Sequence, residues 1–253
     1  MPNIDRDGVS IHYEARGDGP AIILSHGYGA TSQMWAGQID VLSADHRLIV
    51  WDMRGHGLTD SPGNPACYSE AETVADIGAI LDAEGIDSGV IGGLSLGGYM
   101  SLAFQVAHPD RTQALMLFDT GPGYNNPKAR EGWNTGMAIP RAEALDRDGL
   151  AALGGSEEVR VSTHRSAEGL AKAARGMLAQ FDNRIIQSLA TIPQPTLVLV
   201  GENDKPFLAG TDYMANKIPN NTHVVIPNAG HAANIDNPAD FNEAVVSFLK
   251  ALG

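Results

Sequence analysis

A serine lies between two glycines in the run Gly93-Leu94-Ser95-Leu96-Gly97. The apolar residues 89–92 before it predict a strand, and the amphipathic residues 96–108 after it predict a helix. A serine on so sharp a strand-to-helix turn has a strained backbone, and a side chain at either glycine would collide with the crossing chain. The pattern therefore predicts that Ser95 holds its hydroxyl clear of the sheet as a nucleophile.

A serine hydroxyl is a weak nucleophile at neutral pH, so it needs a base, and the base needs a group that orients it. Two later apolar runs, 195–200 and 222–227, predict strands that end near Asp204 and His231. We expect His231 to take the proton of Ser95 and to return it to the leaving group. A carboxylate then holds the imidazole in the correct tautomer and stabilises its cation.

Three acidic residues compete for the role of that carboxylate. Asp204 ends the strand before the last one and satisfies the order nucleophile, acid, histidine. Asp119 ends the strand 114–118, which follows the helix of the nucleophile, and it stays open as the alternative. Glu202 lies two residues before Asp204 and is expected to point away from the site. We favour Asp204.

The tetrahedral intermediate of an acyl transfer needs two donors for its oxyanion. The backbone N–H of Leu96 directly follows the nucleophile at a helix start, where amides are unpaired and the helix dipole is positive. The backbone N–H of Tyr28, after His26-Gly27 at the end of the strand 21–24, is the second candidate. We therefore predict an oxyanion hole formed by Tyr28 and Leu96.

Strands and helices alternate along most of the chain. This alternation predicts an α/β fold with a mostly parallel central sheet and helices on both faces. Residues 6–13 predict an edge hairpin, and Ser69 with Glu72 predicts a capping box that opens a helix. Residues 121–190 carry helical patterns only. We assign residues 1–120 and 191–253 to the core and residues 121–190 to a helical insertion.

These motifs, in this order, resemble those of the α/β-hydrolase superfamily from Val9 to Leu249. In detail the chain is similar to small capped serine esterases, enol-lactonases and cofactor-free perhydrolases. The resemblance implies an α/β-hydrolase fold in which residues 121–190 form a helical cap over the active site.

Apolar side chains in the predicted cap have two interpretations. They line an acyl pocket beneath the cap, or they form the core of the cap itself. The residues concerned are Trp133, Met137, Met177, Leu178 and Phe181. We take Trp133, Met137 and Met177 forward as candidate pocket residues.

The constellation favours a serine hydrolase that cleaves carboxylic esters or lactones through an acyl-enzyme, without a cofactor. Two alternatives use the same triad: a cofactor-free perhydrolase or haloperoxidase, in which hydrogen peroxide replaces water, and a carbon–carbon bond hydrolase. Haloalkane dehalogenases and epoxide hydrolases need an aspartate nucleophile, so Ser95 argues against both. A non-catalytic ligand-binding protein on this fold is a further alternative, although it has no need of an intact triad.

Composition limits the partners of the chain. Thirty acidic residues against seventeen basic residues give a net charge of −13, a poor electrostatic match to nucleic acid or to an anionic membrane. No apolar run approaches the ~20 residues that span a bilayer, and no metal-ligand spacing occurs. We expect a soluble cytoplasmic protein that binds a small-molecule ester or lactone and no metal. The sequence leaves the oligomeric state open.

Three further histidines lie near the predicted site or in the predicted cap. The resemblance to the α/β-hydrolase superfamily implies that His26, His56 and Arg54 lie at turns flanking the site, and we interpret them as structural residues. His164 is isolated in the sequence, so we assign it no role.

Overall fold

The computed structural model of the protein describes residues 3–253, so residues 1–2 of the predicted core lie outside the described part. Its strands are β1 (Asn3–Arg6), β2 (Val9–Arg16), β3 (Ala21–Ser25), β4 (Arg47–Trp51), β5 (Gly89–Leu94), β6 (Thr112–Phe118), β7 (Thr196–Gly201) and β8 (Asn221–Ile226). They form one sheet in the order β1-β2-β4-β3-β5-β6-β7-β8. The strand before the candidate nucleophile, β5, therefore lies at the centre of the sheet.

Pairing is parallel among the six strands from β4 to β8 in this order and antiparallel where β2 meets β1 and β4. Asp7 and Gly8 have φ values of 56° and 78°, as the two-residue turn of the predicted hairpin requires. The parallel arrangement brings the carboxyl ends of β5, β6, β7 and β8 to one edge, where open α/β sheets bind ligands. The predicted α/β fold is confirmed.

Helices cover both faces of the sheet and fill the connection between β6 and β7. They are α1 (Ala36–Ser43), α2 (Glu70–Ala83), α3 (Leu96–Ala107), α4 (Pro127–Trp133), α5 (Ile139–Asp148), α6 (Glu157–Arg160), α7 (Ala167–Ala173), α8 (Arg184–Ser188), α9 (Lys205–Lys217), α10 (Ala233–Asp236) and α11 (Pro238–Leu252). Two π-helical turns, Asn134–Ala138 and Ala174–Leu178, directly follow α4 and α7.

Alternate side chains of the strands supply two apolar cores, one on each face of the sheet. In β4, Ile49 and Trp51 belong to the core that includes α2 and α3, whereas Leu48 and Val50 belong to the core that includes α1 and α11. All four side chains are buried. Because a one-residue slip would exchange the two sets, this packing fixes the register that positions the strand ends.

The N-terminus of α2 forms only half of the predicted capping box. The Ser69 hydroxyl accepts a hydrogen bond from the Glu72 N–H at 3.1 Å. The Glu72 carboxylate, however, pairs with Arg6 of β1 rather than with the N-cap. Arg6 also reaches the buried Asp76, which accepts two further bonds from Arg54 at 2.8 and 2.9 Å. The prediction of a complete box was wrong because a charged partner from the edge hairpin outcompetes the local bond.

The chain between β6 and β7, called here the inserted segment (residues 119–195), is helical and contains no strand. The predicted insertion, 121–190, falls within it. The segment meets the core backbone to backbone. A Cβ on Gly55 would lie 2.5 Å from the carbonyl oxygen of Gly169, and one on Gly176 would overlap the carbonyl of Tyr68. Glycine at these positions is what allows so close an approach.

The turn between β5 and α3 is packed as tightly as these contacts, and a substitution at Gly97 measures what that packing contributes to stability. A Cβ at Gly97 would overlap the backbone carbonyl of Ser25 in β3. We expect Gly97→Ala to lower the free energy of unfolding by about 3 kcal/mol, the cost of overpacking a closed site. Gly132→Ala in α4 is the matched control, because nothing lies within 4 Å of a Cβ there. The control should gain about 0.5 kcal/mol from helix propensity. Urea unfolding of both variants measures the difference, and equal effects would contradict the packing argument.

Candidate active site

Ser95 joins β5 to α3 with a backbone conformation that residues other than glycine rarely adopt. Its φ is 55° and its ψ is −115°, a combination that costs energy for any residue with a Cβ. The Ser95 N–H donates to the Phe118 carbonyl at 2.9 Å, and the Thr120 hydroxyl donates to the Ser95 carbonyl at 2.6 Å. The end of β6 therefore holds Ser95 in this strained conformation at the carboxyl edge of the sheet.

Gly93 and Gly97 flank the Ser95 turn, and the sequence predicts that a side chain at either position would collide with the crossing chain. A Cβ on Gly93 would lie 2.5 Å from the carbonyl carbon of Gly97 and 2.6 Å from the Ser25 oxygen. A Cβ on Gly97 would meet that same Ser25 carbonyl from the other side. The crossing chain is thus β3, and its backbone sets both glycine requirements.

His231 and Asp204 follow β8 and β7, and these adjacent parallel strands bring them together. His231 Nδ1 lies 2.8 Å from Asp204 Oδ2. Since an ionised carboxylate only accepts, Nδ1 carries the proton and Nε2 remains free to accept one. Phe207, in the first turn of α9, stacks on the imidazole with the ring centroids 4.7 Å apart. The hydrogen bond and the stacked ring together fix the orientation of His231.

Asp119, the alternative acid, contacts β7 rather than the imidazole. Its Oδ1 accepts a hydrogen bond from the Gly201 N–H at 2.8 Å, and its side chain is fully buried. Burial raises the pKa of Asp119 well above its usual range, and the nearby Asp204 charge raises it further. A raised pKa makes a carboxyl group less able to stabilise an imidazolium by charge. Glu202 bonds to the Asn228 N–H instead. Geometry and electrostatics therefore both favour Asp204.

Ser95 lines the same cavity as the His231–Asp204 pair. Within residues 3–253, the hydrogen bond of the His231 imidazole is to Asp204, and none joins it to the Ser95 hydroxyl. In unliganded sites the bond between nucleophile and base is often long, and it shortens when substrate binds. The fold thus brings the three predicted residues to one cavity.

Tyr28 and Leu96, the predicted oxyanion donors, also line this cavity. A Cβ on Gly27 would lie 3.5 Å from the Cβ of Ser95, so the turn that carries Tyr28 runs beside the nucleophile. The Leu96 N–H belongs to the first turn of α3, whose amides have no partner within the helix. The Tyr28 hydroxyl donates to the Leu170 carbonyl of the inserted segment at 2.9 Å. Its phenol thus serves a structural contact, and only its backbone is available for the predicted role.

Buried histidines support the turn that carries Tyr28. His26 Nδ1 lies 2.7 Å from the Gly27 carbonyl oxygen, and its Nε2 accepts the Met53 N–H at 2.9 Å. The His56 ring packs against His26 and against the edge of Tyr28, with centroid distances of 4.9 and 5.5 Å. Both imidazoles are therefore parts of the turn's scaffold, as the sequence suggests.

His164 is not isolated in the fold, and sequence reasoning missed it. Its Nε2 lies 2.9 Å from the Gly29 carbonyl oxygen, and its Nδ1 accepts the Gly57 N–H at 3.2 Å. Its ring lies 5.9 Å from that of His56. One side chain of the inserted segment thereby ties together two loops of the core, one of which carries Tyr28. The only sequence signal is the residue type, because its partners are more than 100 positions away.

A cavity of about 570 Å³ opens above Ser95 between the core and the inserted segment. Trp133, Met137 and Met177 all lie in its wall, together with Leu178. The two methionines belong to the π-helical turns that follow α4 and α7, a feature often found at functional sites. Phe181 is 72% exposed and does not line the cavity, so it fits neither of the two interpretations, a pocket residue or a core residue of the cap.

The described part of the chain offers no candidate metal site and no candidate membrane-spanning helix. Among residues 3–253, no cluster of three or more histidine, cysteine, aspartate or glutamate side chains has the arrangement of a metal site. Over the same residues, no helix combines the length and apolarity that crossing a bilayer requires.

Comparisons with known proteins agree with this architecture. The family model of the alpha/beta hydrolase fold matches residues 20–238. The chain is 30% identical to 3-oxoadipate enol-lactonase 1 of Acinetobacter baylyi, over 98% of this chain and 96% of the relative. A thermophilic esterase from Thermogutta terrifontis superposes with a TM-score of 0.85 at 27% identity, covering 100% of this chain and 99% of that one. The enol-lactonase from Burkholderia xenovorans LB400 superposes with a TM-score of 0.79 at 26% identity, covering 98% of this chain and 100% of that one.

Exchanging each acid for its amide distinguishes Asp204 from Asp119. We expect Asp204→Asn to lower kcat for an activated ester by up to ~10⁴-fold, because the amide favours the wrong imidazole tautomer. Asp119→Asn changes a carboxyl group that bonds to the Gly201 N–H and not to the imidazole, so its kcat should fall less than about tenfold. Steady-state kinetics with matched circular dichroism spectra measure both. The reverse order of effects would assign the acid to Asp119.

The buried histidines predict how the free energy of unfolding changes at acidic pH. Burial lowers the pKa of His26 to about 4 and also lowers the pKa values of His56 and His164. Below the unfolded pKa of about 6.5 the unfolded chain takes up protons that the folded chain refuses, so the free energy of unfolding falls as pH falls. Each fully buried imidazole contributes a slope of about 1.4 kcal/mol per pH unit. The raised pKa of Asp119 opposes this slope, because the folded chain then binds a proton that the unfolded chain releases. Urea unfolding of Asp119→Asn between pH 7.5 and 5 therefore measures the contribution of the histidines, and a flat profile would show that these histidines are protonated in the fold.

Proposed function

The chain belongs to the α/β-hydrolase-fold family, and from that premise we propose that it hydrolyses carboxylic esters or lactones through an acyl-enzyme on Ser95. One observation carries the proposal: Ser95, held at a φ of 55°, lines the same cavity as an imidazole that is bonded to a buried carboxylate at 2.8 Å. A strained serine beside an oriented base is the arrangement that activates a hydroxyl for acyl transfer.

The first half of the reaction acylates the enzyme. Ser95 Oγ attacks the carbonyl carbon while His231 Nε2 takes the hydroxyl proton, and Asp204 stabilises the imidazolium. The oxyanion accepts hydrogen bonds from the backbone N–H groups of Tyr28 and Leu96, each worth about 3 kcal/mol in the transition state. Collapse breaks the bond between the carbonyl carbon and the alcohol oxygen. The alcohol leaves with the proton that His231 returns.

The second half releases the acid. Water attacks the acyl carbon as His231 Nε2 takes one of its protons, and the same oxyanion donors stabilise the second tetrahedral intermediate. When that intermediate collapses, Ser95 regains its proton and the carboxylic acid departs. For a lactone, the leaving hydroxyl belongs to the same molecule as the acid, so a single hydroxy acid is released.

The inserted segment forms the acyl side of the site in this proposal. Residues 121–190 act as a cap, with Trp133, Met137 and Met177 in contact with the acyl group. The apolar character of this wall suits a hydrocarbon chain. The similarity to an enol-lactonase and to an esterase supports the ester and lactone class of substrate.

Labelling with a fluorophosphonate tests the nucleophile. We expect the wild type to be labelled once, at Ser95, and Ser95→Ala to lose both the label and ester turnover while keeping its melting temperature. Ser101→Ala is the matched control, because the Ser101 hydroxyl is buried in α3 and bonds to the Gly97 carbonyl at 2.8 Å. This variant should label like the wild type. A folded but unlabelled wild type would favour the ligand-binding alternative.

Substrate class is tested on the same preparation with aryl esters of increasing acyl length, lactones of several ring sizes and one peracid assay. We expect kcat/KM to be highest for an ester or a lactone. Turnover confined to lactones would narrow the function to a lactonase, and turnover that requires hydrogen peroxide would replace hydrolysis by perhydrolysis.

A further inference from the structure

Arg141 in α5, the first long helix of the inserted segment, places a positive charge in the wall of the cavity. Met137, Arg141 and Leu145 are spaced four residues apart, and all three line the cavity. Residues at this spacing lie above one another on one side of a helix. The stripe is thus apolar at both ends and cationic in the middle.

Arg141 makes no ion pair in a chain rich in carboxylates. Its contact is with the Met137 sulfur, and within residues 3–253 no Asp or Glu lies within 4.0 Å of its guanidinium. Most other arginines pair with a carboxylate: Arg6, Arg16, Arg47, Arg54, Arg111, Arg147, Arg160, Arg175 and Arg184. With 30 acidic residues against 17 basic ones, an unpaired arginine in a cavity wall departs from the pattern of the molecule.

Arg141 is an exposed residue at the edge of the cavity, and its guanidinium has no counter-ion among residues 3–253. Partial burial lowers the pKa of Arg141, and the nearby Tyr28, whose hydroxyl bonds to Leu170, opposes that shift. A carboxylate beside the guanidinium would supply the missing counter-ion. Arg141 retains solvent access, so a ligand in the cavity can reach it.

The other charged side chains of the cavity wall are negative. Asp204 bonds to His231, and Glu158 Oε1 accepts a hydrogen bond from the Ser156 hydroxyl at 2.7 Å, whereas Glu158 Oε2 has no partner among the described residues. Apart from the imidazole of His231, Arg141 is the only basic side chain among the lining residues. Away from the predicted oxyanion donors beside Ser95, an anion that enters the cavity therefore meets one cationic side chain, Arg141.

We propose that Arg141 binds a carboxylate at the far end of the substrate, so that the preferred substrates are esters or lactones bearing a second, free carboxylate. The inference rests on the proposed function and specifies its substrate class. A guanidinium matches a carboxylate with two parallel hydrogen bonds. A single arginine, without a lysine or a second arginine, suits this monoanion better than a phosphate. The apolar residues around it take the carbon chain that joins the two groups.

The kinetic test compares two substrates that differ only in the distal charge. These are the p-nitrophenyl monoester of adipic acid and its distal methyl ester. The readout is the ratio of kcat/KM for the acid to kcat/KM for the methyl ester. We expect Arg141→Met to lower this ratio by about 10- to 100-fold, the loss of one charge-assisted pair, and Arg141→Lys to lower it by less.

Arg165→Met is the matched control, because it removes one positive charge outside the cavity. The Arg165 guanidinium donates to the Leu58 carbonyl at 3.3 Å and lies in the inserted segment. Its ratio should stay within about twofold of the wild type, since exposed charges are screened beyond about 10 Å. Equal ratios in the wild type and in Arg141→Met, or the same loss in Arg165→Met, would overturn the inference.

A binding measurement separates this inference from the proposed function. Calorimetry on Ser95→Ala compares adipic acid monoamide with the uncharged diamide, neither of which requires turnover. We expect the monoamide to bind at least tenfold more tightly, and the additional Arg141→Met substitution to abolish the difference. Arg141-dependent binding in a chain that hydrolyses no ester would uphold the carboxylate site and refute the proposed function. Ester turnover without any preference for the anion, in binding or in kinetics, would uphold the proposed function and refute the carboxylate site.

Discussion

The site depends on the close approach of the β5–α3 turn to the backbone of β3. The Ser25 carbonyl occupies the space where side chains of residues 93 and 97 would lie, so both positions must be glycine. Ser95 is left with a φ of 55°, and such strain costs on the order of 1–3 kcal/mol. It persists because β5 is buried between β3 and β6 and because Phe118 and Thr120 bond to the turn. A relaxed turn would move the hydroxyl out of the cavity.

A second constraint concerns where the negative charge of the site resides. Asp119 and Asp204 are both buried and lie close together, so two adjacent charges would be costly. The raised pKa of Asp119 favours a negative charge on Asp204, beside His231. Burial also lowers the pKa values of His26, His56 and His164, which support the turn that carries Tyr28. Negative charge is thus favoured on the acid of one hydrogen-bonded pair, and positive charge is disfavoured on the three histidines.

The placement of Ser95, Asp204 and His231 around one cavity was predictable from sequence, because parallel strands end at one edge of the sheet and glycine spacing marks the turn around Ser95. Side chains whose partners are distant were not predictable. Glu72 fits a local capping box, yet it pairs with Arg6, 66 residues away. His164 and Arg141 act through the side of the inserted segment that faces the core, and the π-helical turn after α4 changes the helical phase just before Arg141. The spacing of apolar residues in the sequence does not reveal this change of helical phase.

The central claim is that Ser95 carries the acyl group during turnover, and trapping that intermediate tests it most directly. A rapidly quenched reaction with p-nitrophenyl trimethylacetate, whose bulky acyl group slows deacylation, would be digested and analysed by mass spectrometry. The account predicts one trimethylacetyl group per chain, on the peptide that contains Ser95, formed at least as fast as steady-state turnover. An acyl group on another residue, or rapid turnover with no acylated protein, would contradict it.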